Sequence, residues 1–246
     1  LQNIANSKNP LQQHPYAPAY MFETAMTPLL GYTLKGIVWY QGESNAHNIE
    51  LHERLFPMLE KSWRNFFQQK NMPFYFVQLS SLNRRSWSRF RDSQRRMALG
   101  LEHTWMTVTS DLGDSLDVHY TNKKPVGERL AMQVLHHSYG HDIVSEGTVI
   151  ERVESVDGDL LLTFSNAKEL HFTGNRLIGF ELAGADGIYH EAQATIENGY
   201  QVRVSCGLVV AHPVSVRYGW QPFTRANLVN EKGLPCSTFE TAEHRF

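Results

Sequence analysis

The chain predicts an α/β fold: a parallel sheet with flanking helices, followed by a small antiparallel β-sandwich module. Two observations carry that class. Before Gly140, apolar runs of strand length alternate with segments whose apolar residues recur at helical spacing, the order that builds a parallel sheet. From Thr148 on, helical periodicity stops, and short alternating runs are separated by Asp157-Gly158, Asp186-Gly187 and Asn198-Gly199, dipeptides that favour hairpin turns. The division is placed at residues 1–145 and 146–246, and a chain of 246 residues is long enough to bury a core in each part.

The elements follow in order. The first twenty residues, with Pro10, Pro15 and Pro18 among polar neighbours, read as an extended connector. Phe22, Ala25, Met26, Leu29 and Leu30 recur at helical spacing, with Pro28 expected to bend or shorten that helix. Ile37 to Tyr40 is a strand. Leu51, Leu55, Phe56, Leu59, Trp63, Phe66 and Phe67 then fall on one helical face, with Glu53, Glu60, Lys61 and Arg64 largely off it. Phe74 to Leu79 is a buried strand, with a polar loop from Ser80 to Ser86, and a helix from Ser88 to Leu101 leads to a third strand, Trp105 to Thr109. After the loop Ser110 to Tyr120, a helix runs from Pro125 to His137. Val149 to Val153, Leu160 to Phe164, Gln201 to Val204 and Val214 to Tyr218 are strands of the second part.

Composition removes several function classes. The formal net charge is −2, and no long run of lysine and arginine is present, so nucleic acid and anionic membranes lack electrostatic support as partners. The one basic cluster, Arg84, Arg85, Arg89, Arg91, Arg95 and Arg96, reads as a solvated helix face and loop, with contact to an acidic sugar as the alternative. Nothing approaches the roughly twenty consecutive apolar residues of a membrane span. Cys206 and Cys236 are too few and too far apart for a zinc motif; they read as unpaired thiols with Cys206 buried in a strand, or as a single bridge in an exported protein. The histidines do not form a metal pattern, and no cofactor or metal is expected.

Chemistry concentrates in two segments. Gly36-Ile37-Val38-Trp39-Tyr40-Gln41-Gly42-Glu43-Ser44-Asn45 runs from an apolar strand directly into a turn of amide, carboxylate and hydroxyl groups. In an open parallel sheet such a turn lies at the carboxyl end of the strand, where ligands bind. Asp114-Ser115-Leu116-Asp117-Val118-His119 places a carboxylate near an imidazole just before a helix. Hydrogen-bond donors in one segment and a general base in the other make most of an ester-hydrolysing site.

These segments resemble the sialate O-acetylesterase family of SGNH hydrolases, in which a strand ending in Trp-Tyr-Gln-Gly-Glu-Ser-Asn is followed by a late Asp-x-His segment. The resemblance continues through Pro73 to Leu79, Asn122 to Ala131, Gly179 to Gly187, Arg217-Tyr218-Gly219-Trp220, Ala226-Asn227-Leu228 and Gly233-Leu234-Pro235. It implies a partial SGNH (flavodoxin-like) sheet, whose strands here are the third to fifth. It also implies a metal-free serine esterase acting on acetylated sugars or glycans. The family's nucleophile sits in a Gly-Asp-Ser or Gly-Gln-Ser-Asn turn near the domain start, and no such turn precedes Gly36. The serine is therefore expected in a segment upstream of Leu1, and this chain alone is expected to be an incomplete enzyme.

With that resemblance, His119 is the general base and Asp117 the group that holds its tautomer. Asp-x-His departs from the Asp-x-x-His of many SGNH hydrolases, so Asp114, Asp111 or a serine–histidine dyad stay open, and Tyr120 stands where the family usually has proline. Gln41 and Asn45 are the oxyanion donors and Gly42 permits close backbone approach. Glu43, unsuited to donate when ionised, reads as a supporting acceptor, and Ser44 as a hydroxyl bracing the turn. Ser80, Ser81 and Asn83 are placed near the substrate by position. Two other readings stand beside this one: esterase action on acetylated xylan or another polysaccharide, and a catalytically silent carbohydrate-binding protein using Trp87 and Trp220. Glycan substrates imply export to the periplasm or medium.

Overall fold

The computed structural model describes residues 17–242, so most of the proline-containing connector lies outside the described residues. Helix α1 (Tyr20–Ala25) is followed by a short 3-10 turn, Thr27–Leu29, with Pro28 inside it. The expected helix is thus shortened, because proline removes the amide a further α-turn would need.

Three strands form the parallel sheet, β1 (Ile37–Trp39), β2 (Phe74–Val77) and β3 (Thr104–Thr107), in the order β1-β2-β3. The central strand β2 is buried along its length, consistent with a continuous apolar run covered on both faces. The connecting helices are α2 (Ile49–Phe66) and α3 (Trp87–Gly100), and α4 (Lys124–Tyr139) follows β3. Asn48 caps α2 by accepting from the Leu51 N–H at 3.1 Å, and Gly140, in the left-handed region at φ 71°, ends α4.

The inward face of α2 differs from the expected one. His52, Phe56 and Glu60 are buried, while Leu51, Leu55 and Met58 are exposed. A hydrogen bond from Thr104 Oγ1 and an ion pair with Arg64 at 2.8 Å satisfy the Glu60 carboxylate, which allows it inside. The expected solvated arginine face is likewise corrected. Arg91 is fully buried and Arg95 nearly so, whereas Arg84, Arg85, Arg89 and Arg96 are exposed.

Beyond residue 146 the chain makes antiparallel sheets. One contains β4 (Val149–Val156), β5 (Asp159–Ser165), β9 (Gln193–Glu197) and β10 (Gln201–Ser205), in the order β4-β5-β10-β9. The other contains β7 (Phe180–Ala183), β8 (Tyr189–Glu191), β11 (Ser215–Tyr218) and β13 (Phe239–Glu240), in the order β13-β11-β7-β8. A pair, β6 (Leu170–Phe172) and β12 (Leu228–Asn230), completes the set. The turns Asp157-Gly158 (φ 54° and 88°) and Asn198-Gly199 (φ 50° and 77°) have the left-handed backbone of tight hairpins. Leu162, Phe164, Leu182, Val202, Val204, Val216 and Phe239 belong to one apolar core shared by both four-stranded sheets. Both cysteines are free, but the buried one is Cys236; Cys206 follows β10 and is half-buried, a correction to the expectation. Burial pushes the Cys236 thiol up to about 12.

Candidate active site

The three strands are parallel, so the turns after β1, β2 and β3 emerge on one edge of the sheet. The turn after β1 carries Gln41 to Asn45. Gln41 Nε2 donates to Asn45 Oδ1 at 2.5 Å, and the Asn45 N–H donates to the Gly42 carbonyl at 2.9 Å, so the two candidate oxyanion donors hold each other. This leaves the second Gln41 N–H and the Asn45 amide nitrogen without a hydrogen bond among the described residues, both as donors. Gly42 lies at φ 151°, and a Cβ there would sit 2.9 Å from the Phe90 ring. Phe90 is fully buried in the cluster of Ala46, Leu79, Leu82 and Trp87, so the turn rests directly on packed side chains. Glu43 makes no hydrogen bond among the described residues, and Ser44 is exposed.

The loop after β3 carries His119, which is exposed. Asp114 Oδ1 accepts from the Leu116 N–H at 2.8 Å and the Asp117 N–H at 3.1 Å, bonds that hold its carboxyl below the usual range. Asp117 Oδ1 in turn accepts from the His119 backbone N–H at 2.7 Å. The Asp117 carboxylate thus shapes the backbone on which His119 sits, and no hydrogen bond joins it to the imidazole among the described residues. Asp111 is taken by Arg129 of α4 in a two-point ion pair at 2.7 and 2.6 Å.

A contact not anticipated from the sequence joins the two segments. Tyr40, the residue before Gln41, and Tyr120, the residue after His119, place their hydroxyls 3.4 Å apart. Lys123 Nζ donates to the Tyr40 hydroxyl at 3.3 Å and lies 3.5 Å from the centre of the Tyr120 ring, a cation–π geometry. Burial and the bond to Tyr120 raise the Tyr40 hydroxyl above the usual phenol range, and burial lowers Lys123. The sequence signal was present in the aromatic residues flanking each motif, but only the sheet order says that they meet.

The turn after β2 is built into the scaffold rather than left open. Ser81 Oγ donates to the Ser110 carbonyl at 2.5 Å, Ser81 N–H donates to the Leu112 carbonyl at 2.8 Å, and Ser81 is buried. Asn83 is exposed, and its N–H donates to the Ser115 carbonyl at 3.1 Å. Trp87 is buried with its Nε1 donating to the Ser80 carbonyl at 2.7 Å, which removes it as a sugar platform. Among the described residues no cluster of three or more His, Cys, Asp or Glu is arranged to hold a metal ion, and no helix is long and apolar enough to cross a membrane.

Residues 9–136, more than half of the 246, match the family model described as carbohydrate esterase, sialic acid-specific acetylesterase. The chain belongs to this family. Curated members include the sialate O-acetylesterase of Mus musculus, 26% identical over 234 residues that cover 84% of this chain and 43% of the mouse protein. The Homo sapiens sialate O-acetylesterase is 30% identical over 194 residues, covering 69% of this chain and 37% of the human protein. The chain therefore spans less than half the length of these relatives. A solved carbohydrate acetylesterase from Xanthomonas citri is 36% identical and superposes with a TM-score of 0.81, covering 88% of this chain and 52% of that one. The mixed α/β architecture, with a three-stranded parallel sheet and several antiparallel sheets, resembles that acetylesterase.

Proposed function

We propose that this chain supplies the base and oxyanion parts of a carbohydrate O-acetylesterase that removes acetyl groups from sugar hydroxyls by a serine–histidine mechanism. One observation carries the reading. The Gln41 turn and the His119 loop lie at the same edge of the parallel sheet and are tied there by the Tyr40–Tyr120 contact. A serine hydroxyl attacks the acetyl carbonyl carbon while His119 accepts its proton. The carbonyl oxygen becomes an oxyanion and takes hydrogen bonds from the free amide N–H groups of Gln41 and Asn45. The intermediate collapses, the C–O bond to the sugar breaks, and His119 returns the proton to the leaving alcohol. Water, deprotonated by His119, then attacks the acyl carbonyl, the bond to the serine oxygen breaks to release acetate, and His119 returns the proton to the serine. With Asp117 engaged by the backbone, the pair works as a dyad.

The serine comes from a segment upstream of Leu1. Support for this lies at β1, which pairs with β2 on one side and has no strand on the other among the described residues. Val38 on that edge is 56% exposed, and Leu51, Leu55 and Met58 expose an apolar face on the adjoining helix α2. A further parallel strand would pair with that open edge, and helices flanking it on the two faces of the sheet would cover Val38 and the exposed face of α2. Residues 1–145 are then the C-terminal part of an SGNH-type catalytic domain, and residues 146–246 a β-sandwich module, a reading supported by the core shared between the two four-stranded sheets. Acetylated sialic acid is the first substrate to consider, acetylated polysaccharide the second, and export follows from where such glycans occur.

The test compares this chain with a form extended upstream to a Gly-Gln-Ser-Asn-like turn, assayed on p-nitrophenyl acetate and on an O-acetylated sialic acid. Turnover confined to the extended form is expected. Full turnover by the 246-residue chain, with the acyl group trapped on Ser44, would place the nucleophile at Ser44 instead.

A further inference from the structure

A cavity of about 250 Å³ lies on the second part of the chain, and its lining includes Arg176, Glu191, Trp220, Gln221, Thr224 and Arg225. No residue of the Gln41 turn or the His119 loop contributes to it. The loop that carries Trp220 is fixed from beneath. Arg91, fully buried, donates from Nη2 to the carbonyls of Gly219 at 2.9 Å and Gln221 at 2.6 Å, the residues on either side of Trp220. The indole itself is partly exposed, and its N–H has no hydrogen bond among the described residues.

The charges around this cavity are unequal. Glu181 is neutralised by Arg217 through bonds of 3.0 Å, and that guanidinium lies 3.9 Å from the Tyr189 ring centre and 5.6 Å from that of Trp220. Glu191 faces Arg176 at 3.8 Å. Arg225 is exposed and has no carboxylate within ion-pair distance among the described residues; its guanidinium lies 5.8 Å from the centre of the Phe223 ring. A concave site thus holds an indole with a free N–H beside a cation without a counter-charge.

We propose that this cavity is a second saccharide-binding position that takes a carboxylate-bearing sugar. The C–H face of the sugar ring packs on the Trp220 indole, and the carboxylate takes the paired N–H groups of Arg225. The site is preorganised by Arg91 and is small beside ligand sites of about 300–1,000 Å³, so it holds a single ring. The same loop reaches the rim of the parallel sheet. Pro222 accepts from the Leu82 N–H at 3.3 Å, and the Thr224 N–H donates to Ser81 Oγ at 3.2 Å, both in the turn after β2. The cavity loop is therefore anchored on the turn after β2, the central strand of the parallel sheet. This position deepens the esterase reading by naming an acidic glycan, yet its binding needs no turnover, so the two readings fail separately.

The experiment titrates the 246-residue chain with N-acetylneuraminic acid, glucuronic acid and glucose by isothermal calorimetry, alongside Arg225→Ala, Trp220→Ala and His119→Ala. Both acids should bind, glucose should bind at least about tenfold more weakly than glucuronic acid, and Arg225→Ala should weaken the acids by at least about tenfold. Trp220→Ala should lower affinity for both acids, and His119→Ala should leave it unchanged. Arg225 is exposed and makes no hydrogen bond among the described residues, so its replacement keeps the test valid if Trp220→Ala fails to fold. Absence of acid binding at millimolar concentration, equal affinity for glucose and glucuronic acid, or indifference to Arg225→Ala overturns the proposal. Loss of binding in His119→Ala does so too, by moving the sugar to the other site.

Discussion

At the scale of single residues, the candidate site separates groups that do chemistry from groups that shape backbone. His119 is exposed and its ring has no hydrogen bond among the described residues, so His119→Ala removes little packing. In the upstream-extended protein it should lower turnover by about two to four powers of ten with the melting temperature nearly unchanged. Asp117 accepts from the His119 N–H, a bond that an amide oxygen can also accept. Asp117→Asn should therefore cost less than about tenfold in turnover, whereas a carboxylate bonded to the imidazole would cost about ten-thousandfold. Gln41 presents a neutral donor that matters most when charge develops. Gln41→Ala should lower turnover by about a hundredfold with little change in the Michaelis constant, measured by steady-state kinetics on the same ester.

At the scale of elements, helix α2 buries a histidine whose titration is readable. His52 packs 4.7 Å from Phe90 and 5.7 Å from Phe56, ring centre to ring centre, and burial lowers its pKa. The unfolded chain then binds a proton that the folded chain refuses, between the folded value and the ordinary value of about 6.5. Its contribution to stability is complete above about 6.5 and is lost as pH falls toward the folded value. Urea unfolding across pH 7 to 5 should show this decline, and His52→Phe should flatten it. The neighbouring turns give a second element-scale outcome. A Cβ on Gly113, at φ 118°, would come 2.2 Å from the Ser81 carbonyl oxygen, where the β2 and β3 turns bridge. Gly113→Ala should destabilise the fold by about 1–3 kcal/mol and displace the His119 loop that follows.

At the scale of the whole molecule, the antiparallel sheets and the parallel sheet are joined through one buried cation. Arg91 leaves helix α3 and donates to Thr238 Oγ1 and to the carbonyls of Gly219, Gln221 and Pro222, all neutral acceptors. Burial lowers its pKa to about 9, and the ring of acceptors offsets part of that cost. Arg91→Met leaves those carbonyls without their donor, and at about 1–3 kcal/mol for each unsatisfied buried group the loss should exceed about 3 kcal/mol. Chemical denaturation measures it. The same variant should weaken acidic-sugar binding, because the backbone flanking Trp220 loses its support.

Features set by local chemistry were legible in the amino-acid sequence. The βα alternation, the polar turn after Tyr40, and the hairpin dipeptides Asp157-Gly158 and Asn198-Gly199 need only near neighbours, since strand period, turn backbone and proline geometry act over a few residues. Helix α2 shows where that reach ends. Its apolar residues Leu51 and Leu55 mark one face, but the fold turns Glu60 inward because Thr104 and Arg64 supply partners from β3 and from the next turn of α2. Arg91 looks like a surface charge until the carbonyls of Gly219 to Pro222 arrive from far along the chain. The partner of Asp117 and the meeting of Tyr40 with Tyr120 were decided in the same way. Burial of a charge and the choice of a hydrogen-bond partner depend on what packs opposite, and tertiary structure alone brings those groups together.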